Sequence, residues 1–361
     1  MKVLTLLTML FLTACSSSTP ERRESPVLPS SVETQLNVAA EPPLLSLNVG
    51  ITVFDIQEPV ENSLQGALKQ VRSVEQRYVP YELKKTLDRS GFWGAVRVMP
   101  REDLSAELNV SGSVLESDGV VLKLAIKAVD ASGRVWLDGV YEDAATYEDY
   151  SKDPDYNKDP FRGLYNRIAN DLSKALQPMS EADLQSILDI ATVVYGRALS
   201  EEAFGRYLVE TEEGLVLAGL PAANDPAFER IQRIRNSEYL FADSIDAHYE
   251  SLQRQLGQTY AWWRHYSYEL IMGNRRLETV DATRGATRGT YYSLNRVYKT
   301  FRDSKMNEDA LRELTDSFDR ETEATVTEIA GKVVQLHGTL DFQVDEWRRL
   351  LREAWEQETG F

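Results

Sequence analysis

Few side chains in this chain have the types and spacing that catalysis or metal binding requires. None of the three histidines, His248, His265 and His337, has a second histidine, a cysteine or a paired carboxylate at metal-ligand spacing. The sequence also has no phosphate-binding loop, nucleophile elbow or dinucleotide fingerprint. We therefore predict no catalytic residue, no metal site and no cofactor.

Two acidic stretches, residues 141–149 and 153–159, carry many carboxylates that could bind calcium. They lack the regular ligand spacing of a calcium-binding loop. The favoured interpretation is a solvated acidic connection between structural elements.

The thiol of Cys15 is the other reactive group, and it belongs to the only cysteine in the chain. Cys15 follows a basic Lys2 and an apolar run from Val3 to Leu12, which is too short to span a membrane. The sequence Leu12-Thr13-Ala14-Cys15 resembles the lipobox of bacterial lipoproteins. The resemblance implies that residues 1–14 are a signal peptide and that Cys15 carries the lipid. An ordinary signal peptide with an incidental cysteine is the alternative.

Ser16 follows the cysteine. In lipoproteins of this kind, a residue other than Asp at that position implies sorting to the outer membrane. We therefore expect a protein that is anchored to the outer membrane through the lipid on Cys15 and faces the periplasm.

The composition limits the classes of molecule that the protein is expected to bind. The chain has 40 basic and 57 acidic residues, a formal net charge of −17, whereas nucleic acids and anionic lipid surfaces reward clustered Lys and Arg. We therefore expect no nucleic-acid partner. Without a second cysteine the chain forms no intramolecular disulfide, so its stability must come from packing.

The pattern along the chain predicts an α+β fold in two domains. Residues 15–43 are rich in Ser, Pro and Glu and are predicted to be a flexible tether. Residues 44–178 are predicted to form a small mixed or antiparallel sheet with two helices, and residues 179–361 an all-α domain. The expected elements of the first domain are a strand at 45–54, a helix at 62–89 that Pro80 interrupts, strands at 96–99, 108–115, 120–129 and 135–141, and a helix at 161–176.

Two segments of the first domain carry a resemblance. They are Asn109-Val110-Ser111-Gly112-Ser113-Val114 and the stretch from Ala128 to Trp136. Residues 44–178 resemble the periplasmic domain shared by the curli-export channel lipoprotein, the peptidoglycan-synthase activator lipoproteins and the polysaccharide-export accessory lipoproteins. The resemblance implies a domain that docks on an envelope assembly. The long amphipathic strand pairs of the curli pore are missing, so we predict no pore.

The second domain shows helical spacing of apolar residues and no convincing strand pattern. Helix starts are predicted at Ser180, Ser200 and Asp225-Pro226. Apolar positions then alternate by threes and fours, which predicts a long antiparallel coiled-coil hairpin with arms at about 243–303 and 308–357. Facing residues would include Trp263 with Trp347 and Leu256 with Trp355.

Two parts of that hairpin are candidate interaction surfaces. The first is the aromatic stretch with Trp262, Trp263 and Tyr266, which could form a protein-binding or glycan-binding platform. Packing on the helices before residue 240 is the favoured alternative. The second is a tandem repeat that contains Arg284 and Arg288 and could form a binding notch. The favoured alternative is a close contact between the two helices, in which Arg284 pairs with Glu328 and Arg288 pairs with Glu323.

These observations indicate a non-enzymatic scaffold or accessory factor of a cell-envelope assembly that serves peptidoglycan synthesis or the export of a surface polymer or protein. The expected partners are the membrane, an envelope protein, and peptidoglycan or a second copy of the chain. One alternative is a homo-oligomeric subunit of an export ring. The other is an envelope-polymer hydrolase that uses carboxylates such as Glu102, Asp103 or Glu116, although no spacing supports it.

Overall fold

The computed structural model describes residues 31, 33–41, 43–57, 71–150, 158–212, 214–222, 225–284, 324–329 and 332–359, with a few residues between 302 and 317. For residues 72–73, 274–284 and 358–359 only the backbone is described. The signal peptide and Cys15 therefore lie outside the described residues.

The chain is α+β, as predicted. The strands are β1 Val49–Thr52, β2 Asp55–Ile56, β3 Val96–Met99, β4 Leu108–Ser117, β5 Val121–Asp130, β6 Val135–Ala144, β7 Leu208–Thr211, β8 Gly214–Leu217, β9 Thr325–Ile329 and β10 Lys332–Leu336. The α-helices are α1 Arg72–Ser90, α2 Arg162–Leu176, α3 Glu181–Leu199, α4 Glu201–Phe204, α5 Pro226–Arg284 and α6 Leu340–Thr359.

Six strands form one mixed sheet in the order β3-β1-β4-β5-β6, with β2 also paired to β4. β1 runs parallel to both neighbours, while β4, β5 and β6 form antiparallel hairpins. Each hairpin turn depends on an aspartate and a glycine, as the sequence predicted. Asp118 accepts hydrogen bonds from Val120 N and Val121 N, and Gly119 takes a φ of 86°.

Helices α1 and α2 cover one face of this sheet. Buried Val79, Leu83 and Leu87 of α1 meet Leu164 and Ile168 of α2 over the β4 and β5 side chains. This cluster is the largest apolar core among the described residues.

The predicted interruption of the first helix at Pro80 is wrong, since α1 continues through that residue. A proline removes one intrahelical hydrogen bond and frees the carbonyl four residues earlier. That carbonyl belongs to Gln76, and it accepts a hydrogen bond from Phe54 N at 2.9 Å. The sheet therefore satisfies the group that the proline leaves unpaired.

Part of the predicted tether packs on the folded body. Asn37 N donates to Asn170 Oδ1 at 2.8 Å, Asn170 Nδ2 donates to Gln35 O, and Ala39 N donates to Ser90 O. Contacts with the folded body thus start about ten residues before residue 44, the predicted start, because the backbone there finds partners on α1 and α2.

The long coiled-coil hairpin is not confirmed. From residue 243 to residue 284 the first arm lies within α5, which has 59 residues and is about 90 Å long at 1.5 Å per residue. The rest of that arm lies almost entirely outside the described residues. The second arm is not continuous, because β9 and β10 form an antiparallel hairpin across residues 325–336. The β7–β8 hairpin is a second departure from the all-α prediction.

The short helix α6 packs near the start of α5 and not along its middle. Trp347 stacks on Phe241 with ring centroids 4.9 Å apart, and Trp355 lies 5.7 Å from Phe204. The predicted contacts of Trp347 with Trp263 and of Trp355 with Leu256 are therefore wrong. Trp263 and Leu256 belong to a separate cluster with Tyr78.

Helix α5 also covers the β3 edge of the main sheet. Asp246 accepts a hydrogen bond from Val98 N at 2.7 Å and forms an ion pair with Lys84 at 3.3 Å. Arg97 forms an ion pair with Asp243 at 2.6 Å. An aspartate thus satisfies an edge amide that a further strand would otherwise use.

Candidate functional site

The aromatic stretch of α5 divides between two faces of the helix. Tyr260 and Trp263 are buried, stack at 5.5 Å, and pack on Tyr78 of α1. Trp262 and Tyr266 are half-buried one turn apart and stack with centroids 5.8 Å apart. The structure therefore brings Trp262 and Tyr266 together, whereas Trp263 is a core residue.

His265 extends the half-buried face. Its ring lies 6.5 Å from Trp262 and 6.0 Å from Tyr266, and it stacks on Tyr150 at 5.7 Å. Tyr150 is held in turn by a hydrogen bond from its hydroxyl to Gly119 O at 2.5 Å. We call Trp262, His265 and Tyr266 the aromatic surface.

A buried cation anchors this part of α5. Arg264 is 1% exposed, and its Nη1 donates to Asp159 Oδ2 at 2.8 Å. The guanidinium lies 4.5 Å from the ring of Tyr260, 5.0 Å from Phe161 and 5.5 Å from Tyr78. Burial is the largest influence and opposes the charge, but Asp159 together with Tyr260, Tyr165 and Tyr78 outweighs it, and the pKa of Arg264 lies above its ordinary value.

The tip of the β4–β5 hairpin presses against the same turn of α5. A Cβ added to Gly119 would lie 2.9 Å from Arg264 O and 3.1 Å from Ser267 Cβ. Only a residue without a side chain fits here, and the positive φ also favours glycine. The hairpin and the ion pair together fix the aromatic surface to the sheet.

Sequence reasoning named Trp262 and Tyr266 but missed Arg264, Asp159 and His265. The signal was present, since Arg264 follows the buried Tyr260 by four residues and so shares its face. An arginine on a buried face implies a buried acidic partner, and Asp159 ends an acidic stretch.

The other predicted site residues are not brought together. Arg284 ends α5 with only its backbone described, while Arg288 and Glu323 lie outside the described residues. Glu328 is exposed in β9. The predicted arginine notch and its ion pairs therefore stay predictions.

The three carboxylates of the hydrolase alternative do not form a pair. Glu102 is exposed, and Asp103 is buried, where it accepts hydrogen bonds from Ser105 N at 2.9 Å and Ser105 Oγ at 2.6 Å. Glu116 lies near the far end of β4, across from Lys123 of β5. Asp103 precedes the start of the same ten-residue strand, so the two carboxylates are far apart.

A second site was not predicted at all. A cavity of about 230 Å³ lies between α3, α5 and α6, with Tyr195, Glu238 and Arg348 in its lining. These three residues come from distant parts of the sequence, so no local motif marks them.

No helix in the described part of the chain has the length and apolar content needed to cross a membrane. Within those same residues, no three His, Cys, Asp or Glu side chains cluster as metal ligands would.

Comparisons with known proteins assign no family. No family model matches the chain, and no curated protein matches it. Among solved structures, protein XCC0632 from Xanthomonas campestris, of family DUF330, is similar at 10% identity and a TM-score of 0.26, over 42% of this chain and 98% of that one. A likeness at this TM-score shows neither a shared fold nor a shared function.

Proposed function

We propose that this protein is a lipid-anchored, non-enzymatic accessory factor of a cell-envelope assembly, held to the outer membrane through Cys15 and facing the periplasm. Leu12-Thr13-Ala14-Cys15 supports the anchor. The binding role rests on one observation: the aromatic surface of α5 is only half-buried although its helix is fixed from beneath by Arg264 and Gly119.

Rigid aromatic side chains suit protein recognition. Trp and Tyr offer large contact areas and lose little conformational entropy on binding, and they are enriched among the residues that dominate interface energies. The Trp262–Tyr266 stack and His265 are pre-ordered in this way, so little ordering cost is left for binding. We propose an envelope protein as the partner, either in peptidoglycan synthesis or in export.

In-cell crosslinking with mass spectrometry tests this proposal. Cells would express the natural chain, Cys15→Ala, Trp262→Ala, or the matched control Phe342→Ala, which removes an aromatic ring that is 58% exposed on α6. We expect envelope partners with the natural chain and the control, and their loss with Cys15→Ala and Trp262→Ala. Equal partner recovery from all four forms would contradict the proposal.

A homo-oligomeric structural subunit is the second candidate. Strand β6 ends the main sheet, and its Val135 and Val140 are 50% and 59% exposed. An edge strand with exposed apolar side chains can pair with another chain. Crosslinks between two copies across β6, without any envelope partner, would favour this candidate over the first.

A further inference from the structure

Residues 33–39 lie on the folded body, although the sequence predicts a flexible tether there. They form neither a helix nor a strand, and their hydrogen bonds go to the end of α1 and to α2. We call residues 33–39 the strap, and the surface of α1 and α2 that holds them the strap site. The two helices pack on each other through the main core, so the strap site belongs to the folded body and not to the tether.

A single asparagine of α2 binds the main chain of the strap on both sides of Leu36. Asn37 N donates to Asn170 Oδ1 at 2.8 Å, and Asn170 Nδ2 donates to Gln35 O at 2.8 Å. A residue of a neighbouring parallel strand would make the same pair of bonds. Bonds to the main chain give affinity for a peptide without selecting its side chains.

Two further hydrogen bonds hold the strap nearer its ends. Asn166 Nδ2, one turn before Asn170 on α2, donates to Thr34 O at 2.7 Å. Ala39 N donates to Ser90 O at 2.8 Å. Carbonyl groups in the last turn of a helix lack a partner within that helix, and Ser90 is a buried residue. The strap site therefore presents polar groups that favour its being occupied.

Leu36 is the side chain through which the strap site can select its occupant. It is half-buried against the main core, whereas Gln35 and Asn37 are exposed and Val38 is 63% exposed. A pocket for one side chain provides the specificity that main-chain bonds lack. A segment that fills the strap site must therefore carry an apolar residue between two free main-chain groups.

The strap of a second copy meets this requirement without any change of sequence. The link between the strap and β1 is exposed at Ala40, Glu41 and Leu44, so burial does not fix its course at these residues. The contacts are the same whichever copy supplies the strap, and the exchange of an identical element is a low-cost route to a dimer. The freedom lost on association opposes the exchange, and a high effective concentration offsets that loss.

We propose that neighbouring copies of this protein exchange straps, so that each strap site holds the strap of the other copy. The proposal rests on the proposed lipid anchor, which confines the copies to one membrane plane and so raises their effective concentration. It gives the homo-oligomeric candidate a contact surface that is separate from β6.

Inter-copy crosslinking tests the exchange. Unlabelled and ¹⁵N-labelled full chains, purified from bacterial membranes, are mixed in phosphatidylcholine vesicles with the photocrosslinker p-benzoylphenylalanine in place of the exposed Val38. Mass spectrometry then distinguishes crosslinks within one copy from those between copies. We expect crosslinks from residue 38 of one copy to α2 of the other. An excess of a peptide with the sequence of residues 33–41 should suppress them, and the same peptide with Leu36→Asp should not.

Two complementary variants make the test specific. Asn37→Pro removes a main-chain donor of the strap and keeps the strap site, whereas Asn170→Ala damages the strap site and keeps the strap. Each variant alone should give about tenfold fewer inter-copy crosslinks, roughly the effect of one lost hydrogen bond. Their mixture should regain crosslinks in one direction, from the strap of the Asn170→Ala chain to the strap site of the Asn37→Pro chain. Asn236→Ala, which replaces an exposed asparagine of α5, is the control and should behave as the natural chain.

Vesicle flotation measures the anchor separately from the exchange. If the chains do not float, the proposed anchor fails, and the same mixtures are then held on nickel-chelating vesicles through an amino-terminal histidine tag. In either arrangement, crosslinks confined to single copies would overturn the exchange. Equal inter-copy crosslinking by the natural chain and both variants, or no recovery in their mixture, would also overturn it.

Discussion

Helix α5 carries two buried charged side chains whose surroundings differ. Arg264 is closed in by three aromatic rings and paired with Asp159 at 2.8 Å. One oxygen of Glu238 accepts a hydrogen bond from Trp347, and the other forms no hydrogen bond with a described residue and lies 3.9 Å from Arg348 Nε. Arg264 therefore has an acidic partner at hydrogen-bond distance, whereas the basic partner of Glu238 lies beyond that distance.

The difference predicts unequal contributions of the two groups to stability. A buried ion pair that loses one partner leaves an uncompensated charge, so Arg264 and Asp159 should be needed for stability. A buried carboxyl oxygen without a hydrogen bond costs stability, so replacing Glu238 by a neutral residue should cost little.

Replacing Arg264 with Met should cost the most. Asp159 is 5% exposed at its side chain and would be left buried without its partner. We expect the free energy of unfolding to fall by roughly 3–5 kcal/mol, measured by urea denaturation. Arg349→Met on the surface of α6 removes an exposed ion pair with Glu346 and serves as the control. An equal, small effect in both variants would show that Arg264 is not a structural anchor.

The effect of pH on stability should identify Glu238. Its pKa is 4.5 in an unfolded chain and about 7 when folded, so the folded state holds this proton more tightly. The resulting stabilisation is complete below pH 4.5 and is lost as the pH rises to about 7, a change of roughly 3 kcal/mol. Glu238→Gln should remove that part of the pH dependence, whereas Glu202→Gln, on an exposed side chain, should not. Parallel stability curves for the natural chain and Glu238→Gln would refute the assignment.

Gly119→Ala should have an intermediate effect. The residue has a φ of 86°, and its added Cβ would lie 2.9 Å from Arg264 O. We expect a loss of about 1–3 kcal/mol, together with a change in the near-ultraviolet circular dichroism of the aromatic surface. Gly219→Ala is the control, because nothing lies within 4 Å of its added Cβ. No difference between the two variants would mean that the hairpin tip does not hold α5.

Trp262→Ala should change stability least, by about 0.5 kcal/mol or less, because its ring is half-buried at the surface. A thermal melt would measure this. The same variant should lose its envelope crosslinks, so a small stability effect combined with a large binding effect is the expected signature. A large drop in stability would place Trp262 in the core instead.

Local signals in the sequence predicted the main sheet well. The Asp-Gly turns, the alternation of β4 and β5, and the capping box of Ser180 with Asp183 are all set by residues near one another in the chain. Pro80 misled the prediction, because the bond that rescues its helix comes from Phe54, a distant residue.

The prediction of the second hairpin arm was wrong for a different reason. Val326 and Val333 fit a helical seam by spacing, yet they are 60% and 74% exposed in strands. The β-branched run from Thr325 to Ile329 was the contrary signal, since such residues favour strands. With that arm broken, α6 is free to pack near the start of α5.

The cavity could not have been predicted from local patterns. Tyr195, Glu238 and Arg348 lie on three helices, and only the packing of α6 beside the start of α5 brings them to one place. In the sequence each is an ordinary residue of an amphipathic helix.

The most direct test of the contrast between the two charges is the unfolding free energy of Glu238→Gln and Arg264→Met, both measured at pH 8. We predict that Glu238→Gln is as stable as the natural chain or more stable, because a neutral amide replaces a buried, incompletely bound carboxylate, while Arg264→Met is markedly less stable. If Glu238→Gln loses as much stability as Arg264→Met, Glu238 is a structural group and the account is contradicted.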